Sequence, residues 1–164
     1  MDFQHYAGTD RDGNRIVYEL SAGGILLVDS ASATIAQSRE GTPQSFTFPK
    51  GHIKIVDGFP EDVLAAAQRE SREELGLEQH ISLLFTGYLT STHTHQVFPK
   101  SGESSFKTIM YAGFHVSDVI RGAWETEGRH VRILSAQDAQ TYLVPQIYTH
   151  FDACRAHFLQ SVNL

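Results

Sequence analysis

Residues 61–75 constrain this chain more than any other segment. Leu64, Ala67, Ser71 and Leu75 recur at helical spacing, and each residue of a helix advances about 100° around its axis, so these four form one stripe. Pro60 fits a helix start, Glu61 and Asp62 suit the positive end of the helix, and Gly76 suits its C-terminal cap. Ala67 and Ser71 are small enough to let the helix lie close against a sheet. Glu70, Glu73 and Glu74 are spaced i, i+3 and i+4 and share a face beside the packing stripe. Three carboxylates so close repel one another in water. One reading is a solvated acidic face partnered by Arg69 and Arg72. The other is a site for a hard divalent cation, whose ligands are oxygens. The adjacency of the acidic face to the buried stripe favours the cation, with Mg²⁺ expected and Mn²⁺ a plausible substitute.

The rest of the chain reads as one mixed α/β domain over residues 1–164. Strands are predicted at 16–20, 22–28, 45–48, 81–88, 107–116 and 131–134. Residues 30–44, 50–60 and the His-rich 91–105 read as loops, the last long enough to suggest a functional role. Ser135 is predicted to cap a helix through Leu143, and 145–162 to form a final amphipathic helix. The formal net charge of −6 argues against broad electrostatic binding of nucleic acid. A single cysteine, Cys154, cannot form an internal disulfide, so a reducing cytoplasm is the expected setting. The N-terminus has no basic segment followed by an apolar run, and no apolar stretch is long enough to span a bilayer, so no membrane partner is expected.

The stretch 51–77 resembles the Nudix box: Gly, five residues, Glu, seven residues, then Arg-Glu-apolar-any-Glu-Glu-any-Gly-apolar. Glu61 is followed after seven residues by Arg69-Glu70-Ser71-Arg72-Glu73-Glu74-Leu75-Gly76-Leu77, which matches the second half closely. The box covers under a fifth of the chain. Two departures stand out. Ser71 occupies a position that is usually apolar, and nine residues rather than five separate Gly51 from Glu61.

The resemblance implies an α/β/α sandwich around a mixed central sheet and a metal-dependent pyrophosphohydrolase. Carried over by position, Glu70, Glu73, Glu74 and the Gly51 carbonyl would hold the metal, while Glu61 and Arg69 would form a supporting ion pair. The general base would be Glu73 or Glu74, or a glutamate from a later segment: Glu127, with Glu125 and Glu103 behind it. The run Phe48-Pro49-Lys50-Gly51-His52-Ile53 and the strand Lys107-Thr108-Ile109-Met110-Tyr111 look like the dinucleoside tetraphosphate hydrolase branch. That branch releases NTP and NMP. Branches acting on RNA 5′ ends, diphosphoinositol phosphates or nucleoside triphosphates share a similar box, and so do non-catalytic nucleotide-binding modules. The expected partner is a nucleotide-type small molecule, with nucleic acid expected only as a 5′-phosphorylated RNA end. Lys50, His95 and Lys107 are the candidate phosphate contacts, beside Lys54, His93 and Lys100. Tyr88 is the candidate base contact, with Phe98, Tyr111 and Trp124 also available.

Overall fold

The computed structural model describes residues 5–39, 45–118, 120 and 122–163. Its centre is β2 (Arg15–Val28), a single strand where two short ones were predicted, because Ser21 does not interrupt the pairing. From Ala22 onward every residue of β2 is buried, as both faces are covered by helices. Successive side chains point to opposite faces of a strand. Ala22, Leu26 and Val28 therefore enter one core, and Ile25 and Leu27 the other.

The sheet also contains β1 (His5–Thr9), β3 (Ala33–Arg39), β4 (Lys50–His52), β7 (Leu83–Val97), β8 (Ser104–Val116), β9 (Ala123–Thr126) and β10 (Arg129–Ser135). The order is β7-β8-β2-β3-β10-β9, with β1 and β4 also pairing with β2. β2 and β8 run parallel, whereas the other pairs are antiparallel, which makes the sheet mixed. Helix α1 (Val63–Leu75) packs Ala66, Ala67 and Leu75 on one face. Helices α2 (Ala136–Tyr142) and α3 (Pro145–Val162) pack Ala139, Ile147, Phe151 and Cys154 on the other. The α/β/α layering is the predicted one. Burying a side chain of the size of Ile147 or Phe151 contributes roughly 1.5–3 kcal/mol, and this anchors α3. No helix among the described residues is long and apolar enough to cross a membrane.

Further expectations need correction. The predicted loop 30–44 contains β3, whose Ala, Ser and Gln residues carry no strand signal of their own. Pairing with β2 and β10 makes the strand, and the Thr34 hydroxyl is satisfied by the Leu26 carbonyl at 2.7 Å. Residues 40–44 of that loop, like residues 1–4, lie outside the described residues. The predicted loop 91–105 is instead the outer half of the β7–β8 hairpin, turning only at 98–103. Its Thr, Ser and His residues are largely solvent-facing, so no apolar alternation marks it as a strand. Residues 45–48 form no regular strand, only single bridges from Thr47 to Gln37 and from Phe46 to Leu143. The predicted loop 50–60 holds β4 and a small hairpin of β5 (Ile55–Val56) and β6 (Phe59–Pro60). Strands β1 and β9 were not anticipated.

Helix α1 begins two residues later than predicted. Asp62 is its N-cap, accepting from the amides of Leu64 and Ala65 at 3.1 and 3.2 Å, and Pro60 belongs to β6. Its end is the one predicted: Gly76 adopts a left-handed φ of 63°, and its amide donates to the Arg72 carbonyl. Ser71 is explained by contact. A Cβ at Gly24 of β2 would lie 2.2 Å from Ser71 Oγ, so a larger apolar residue there would push α1 off the sheet.

Candidate active site

The extra residues between Gly51 and Glu61 are absorbed locally. Chain reversal occurs at Asp57 (φ 53°) and Gly58 (φ 80°), which close the β5–β6 hairpin and leave Val56 and Phe59 exposed. At its base the Glu61 amide donates to the Lys54 carbonyl at 2.8 Å, and the Lys54 amide to Glu61 Oε1 at 3.0 Å. The hairpin therefore protrudes while β4 and Glu61 both stay beside α1. Gly51 pairs with Ala22 of β2, and a Cβ on it would meet the Glu70 carboxylate at 2.2 Å. Only glycine lets the β4 backbone lie this close to the acidic face.

Arg69 organises that face. Its Nε and Nη2 hold Glu61 Oε2 and Oε1 at 2.9 and 2.7 Å in a two-pronged pair. Nη2 also donates to the His52 carbonyl at 3.0 Å, which ties α1 to β4. Nη1 reaches Glu70 Oε1 at 2.6 Å and Glu73 Oε2 at 3.2 Å. Burial pushes the Glu70 carboxyl above the ordinary range against the pull of Arg69. Hydrogen bonding to Arg69 holds Glu61 below it despite some desolvation. Glu61→Gln should destabilise the fold by about 1–2 kcal/mol at neutral pH, since Gln keeps an acceptor for Arg69 but not the charge, and Glu70 and Glu73 remain as partners. A depressed folded pKa contributes stability above the unfolded value of 4.5, and that contribution is lost as pH falls through the folded value. Urea unfolding of both proteins across this range should show the gap at pH 7 closing as pH drops below 4.5.

Glu74 turns the other way. Its Oε1 accepts from the Lys50 amide at 2.7 Å, and its Oε2 from Gln37 Nε2 at 3.2 Å, with Arg129 of β10 at 3.3 Å. It borders a cavity of about 350 Å³ that Gln37, Lys50 and Arg129 also line. Glu70 and Glu73 thus meet around one Arg69 nitrogen, while Glu74 faces the cavity. No group of three or more His, Cys, Asp or Glu side chains is gathered closely enough to hold a metal ion among the described residues. The donor set nevertheless suits a divalent cation: its oxygens are hard, and Glu70 and Glu73 already share a positive nitrogen.

The other predicted residues are dispersed. Lys50 lines the cavity. Lys107 pairs with Glu19 at 3.7 Å, and the same Glu19 oxygen lies 3.9 Å from His52. His95 stacks on Phe106 with ring centroids 4.1 Å apart. Tyr88 packs against α3 beside His157, in the core on the sheet face opposite α1. Tyr111 is buried against Phe48, and Trp124 donates to the Leu75 carbonyl at 2.6 Å. Glu127 sits exposed in the β9–β10 turn with a φ of 44°. Glu125 pairs with His130 at 3.1 Å. Glu103 precedes Ser104, which is level with Ile16 of β2, whereas β4 is level with Ser21 to Gly23, so roughly 20 Å of strand separates them. Sequence reasoning missed Gln37, Ser38 and Arg129. The first two fall in a stretch read as loop. Arg129 adjoins the acids considered as bases, but it is the residue of that hairpin whose side chain reaches Glu74.

The site is thus an acidic helix lying on a mixed sheet and clamped by an Arg–Glu pair to a glycine-bearing strand. A comparison with family models matches the NUDIX domain over residues 16–153. The chain therefore belongs to the Nudix family of pyrophosphohydrolases, whose members generally use divalent metal ions. No curated protein sequence matches significantly. Among solved structures, an E. coli dihydroneopterin triphosphate pyrophosphohydrolase aligns with a TM-score of 0.53 at 14% identity, covering 83% of this chain and 95% of that one. A C. elegans Ap4A hydrolase aligns with a TM-score of 0.51 at 15% identity, covering 88% and 98%. A Nudix hydrolase from Nitrosomonas europaea aligns with a TM-score of 0.50 at 15% identity, covering 87% and 89%. At these identities the likeness is one of fold.

Proposed function

We propose that this chain hydrolyses a pyrophosphate bond in a nucleoside-diphosphate-linked substrate, best a dinucleoside tetraphosphate, giving NTP and NMP. The observation that carries the reading is the placement of the three helix glutamates. Glu70 lies against Gly51, Glu73 shares Arg69 with it, and Glu74 opens on a cavity lined by Lys50 and Arg129. Glu70, Glu73, Glu74 and the Gly51 carbonyl would hold Mg²⁺, or Mn²⁺ in its place. Bound there, the cation supplies charge neutralisation on phosphate oxygens and a more acidic water.

The chain's own residues do the rest. Glu61 and Arg69 fix the junction of β4 and α1, so the carboxylates keep their places. The Glu73 side chain is 55% exposed and can accept a proton from an attacking water, with Glu74 as its neighbour in that role. Glu127 remains an alternative base from the β9–β10 turn. Lys50 and Arg129 bring positive charge to phosphate oxygens entering the cavity. His95 and Lys107 are proposed contacts for the outlying parts of a long substrate, whereas Tyr88 packs against α3 and is not proposed as one. A nucleotide-binding module without turnover is the second reading, favoured by the engagement of the carboxylates with Arg69, Lys50 and Arg129.

A panel of dinucleoside polyphosphates, nucleoside triphosphates, nucleotide sugars, diphosphoinositol phosphates and 5′-triphosphorylated RNA, with products separated by chromatography, tests the proposal. NTP and NMP from diadenosine tetraphosphate, well ahead of all other products, is the expected outcome. Binding without any turnover would favour the module.

A further inference from the structure

The lining of the cavity beside Glu74 specifies more than a phosphate. Serine and threonine hydroxyls (Ser38, Ser45, Thr47) and two cations (Lys50, Arg129) border it, and Val144 is its apolar contribution. None of the described residues that line it is aromatic. Phe46 and Phe48, the nearest rings in sequence, are 1% and 0% exposed and point into the core, where they meet Tyr142 and Tyr111. A nucleobase is usually held on an aromatic face, and the described lining offers none. Its volume of about 350 Å³ is near the lower end of small-molecule sites, about 300–1,000 Å³, which suits part of a nucleotide.

Two buried atoms add a chemical requirement. Gln37 and Ser38 are only 5% and 2% exposed, yet Gln37 Oε1 and Ser38 Oγ have no partner among the described residues. Most buried polar atoms are partnered, so such exceptions call for a reason. The amide orientation of Gln37 is fixed, because Nε2 donates to Glu74 Oε2. Oε1 is therefore a buried acceptor, matched to a hydroxyl, and Ser38 Oγ can donate to an oxygen anion. The Arg129 guanidinium carries more donors than its one contact with Glu74 uses, in a fork suited to phosphate.

We propose that this cavity binds the sugar-phosphate portion of the substrate and leaves its base outside, with Arg129, Ser38 and Gln37 as specificity-determining residues. The assignment rests on the reading that Glu70, Glu73 and Glu74 carry the hydrolysis next to it, but its test requires no turnover. Ribose 5-phosphate, adenosine and inorganic phosphate would each be titrated into the whole chain, with affinity from calorimetry and location from the amide NMR shifts of Gln37, Ser38, Thr47 and Arg129. Ribose 5-phosphate should shift these amides and bind more tightly than inorganic phosphate, while adenosine leaves them unmoved. Arg129→Gln and Ser38→Ala should each weaken ribose 5-phosphate about tenfold or more, with unchanged thermal midpoints showing that both fold. Ser38→Ala should also raise KM with little change in kcat. Equal affinity for inorganic phosphate, adenosine-induced shifts at the same amides, or unaltered ribose 5-phosphate binding in both variants would overturn the proposal. A protein that binds ribose 5-phosphate as predicted but hydrolyses nothing would instead overturn the catalytic reading.

Discussion

Replacing Glu74 by Gln should lower pyrophosphate hydrolysis on the order of a thousandfold while the domain stays folded. Glu74 is the box carboxylate that faces the cavity, and its side chain is only 13% exposed. Glutamine is isosteric and keeps an oxygen for the Lys50 amide, now 2.7 Å from Glu74 Oε1. Its amide nitrogen would face Gln37 Nε2, but a flip of Gln37 would present Oε1 and restore that hydrogen bond. Arg129 loses its charged partner, yet it is partly exposed and water can replace some of the contact. Repulsion among the three glutamates is also relieved. These effects should nearly cancel, leaving stability within about 1 kcal/mol and the thermal midpoint within about 2–4 °C. Turnover and calorimetric unfolding of the same preparation check both halves. A large loss of midpoint would mean that Glu74 is chiefly structural.

Gly51→Ala should be nearly as damaging through pure geometry. The added Cβ would meet the Glu70 carbon and both its oxygens at 2.2–2.4 Å, closer than real atoms approach. Either Glu70 leaves Arg69 Nη1 or β4 pulls away from Ala22 of β2. Both outcomes separate the Gly51 carbonyl from the acidic face. A fall in turnover on the order of a hundredfold is expected, together with weaker Mn²⁺ binding in a calorimetric titration. A fully active Gly51→Ala protein would show that the stretched end of the box has no part in the site.

Helix α1 was legible because its signals are local. The stripe of Leu64, Ala67, Ser71 and Leu75 and the Gly76 terminus depend on neighbours within a few residues, whereas the start was read two residues early because Asp62 is the cap and not part of the helix. A mixed α/β domain followed from the same kind of pattern in β2, β8 and α3, and the resemblance to the Nudix family implied its α/β/α layering. What escaped notice is held in place by distant partners. Strand β3 has an Ala-Thr-Ile-Ala-Gln-Ser core that is a strand only because β2 and β10 flank it. The polar half of β7 hides its alternation because solvent reaches much of it. The site divides along the same line. Glu70, Glu73 and Glu74 were brought to attention by their helical spacing, and the Glu61–Arg69 pair by the resemblance to the Nudix box. Gln37 and Arg129 approach Glu74 from strands 37 and 55 residues away in sequence, and no spacing rule connects them. The four residues added between Gly51 and Glu61 are carried outward by the Asp57-Gly58 turn.

The central claim is that the carboxylate face of α1 holds a divalent cation on which pyrophosphate hydrolysis depends. The most direct measurement titrates Mn²⁺ into metal-stripped protein, following bound ion by electron paramagnetic resonance and product release from diadenosine tetraphosphate in the same samples. It compares the native chain with a Glu70→Gln, Glu73→Gln double variant. Hydrolysis should rise in step with bound Mn²⁺ in the native chain, and both signals should collapse in the double variant. Undiminished hydrolysis in excess chelator, or equal Mn²⁺ affinity in the two proteins, would contradict the claim.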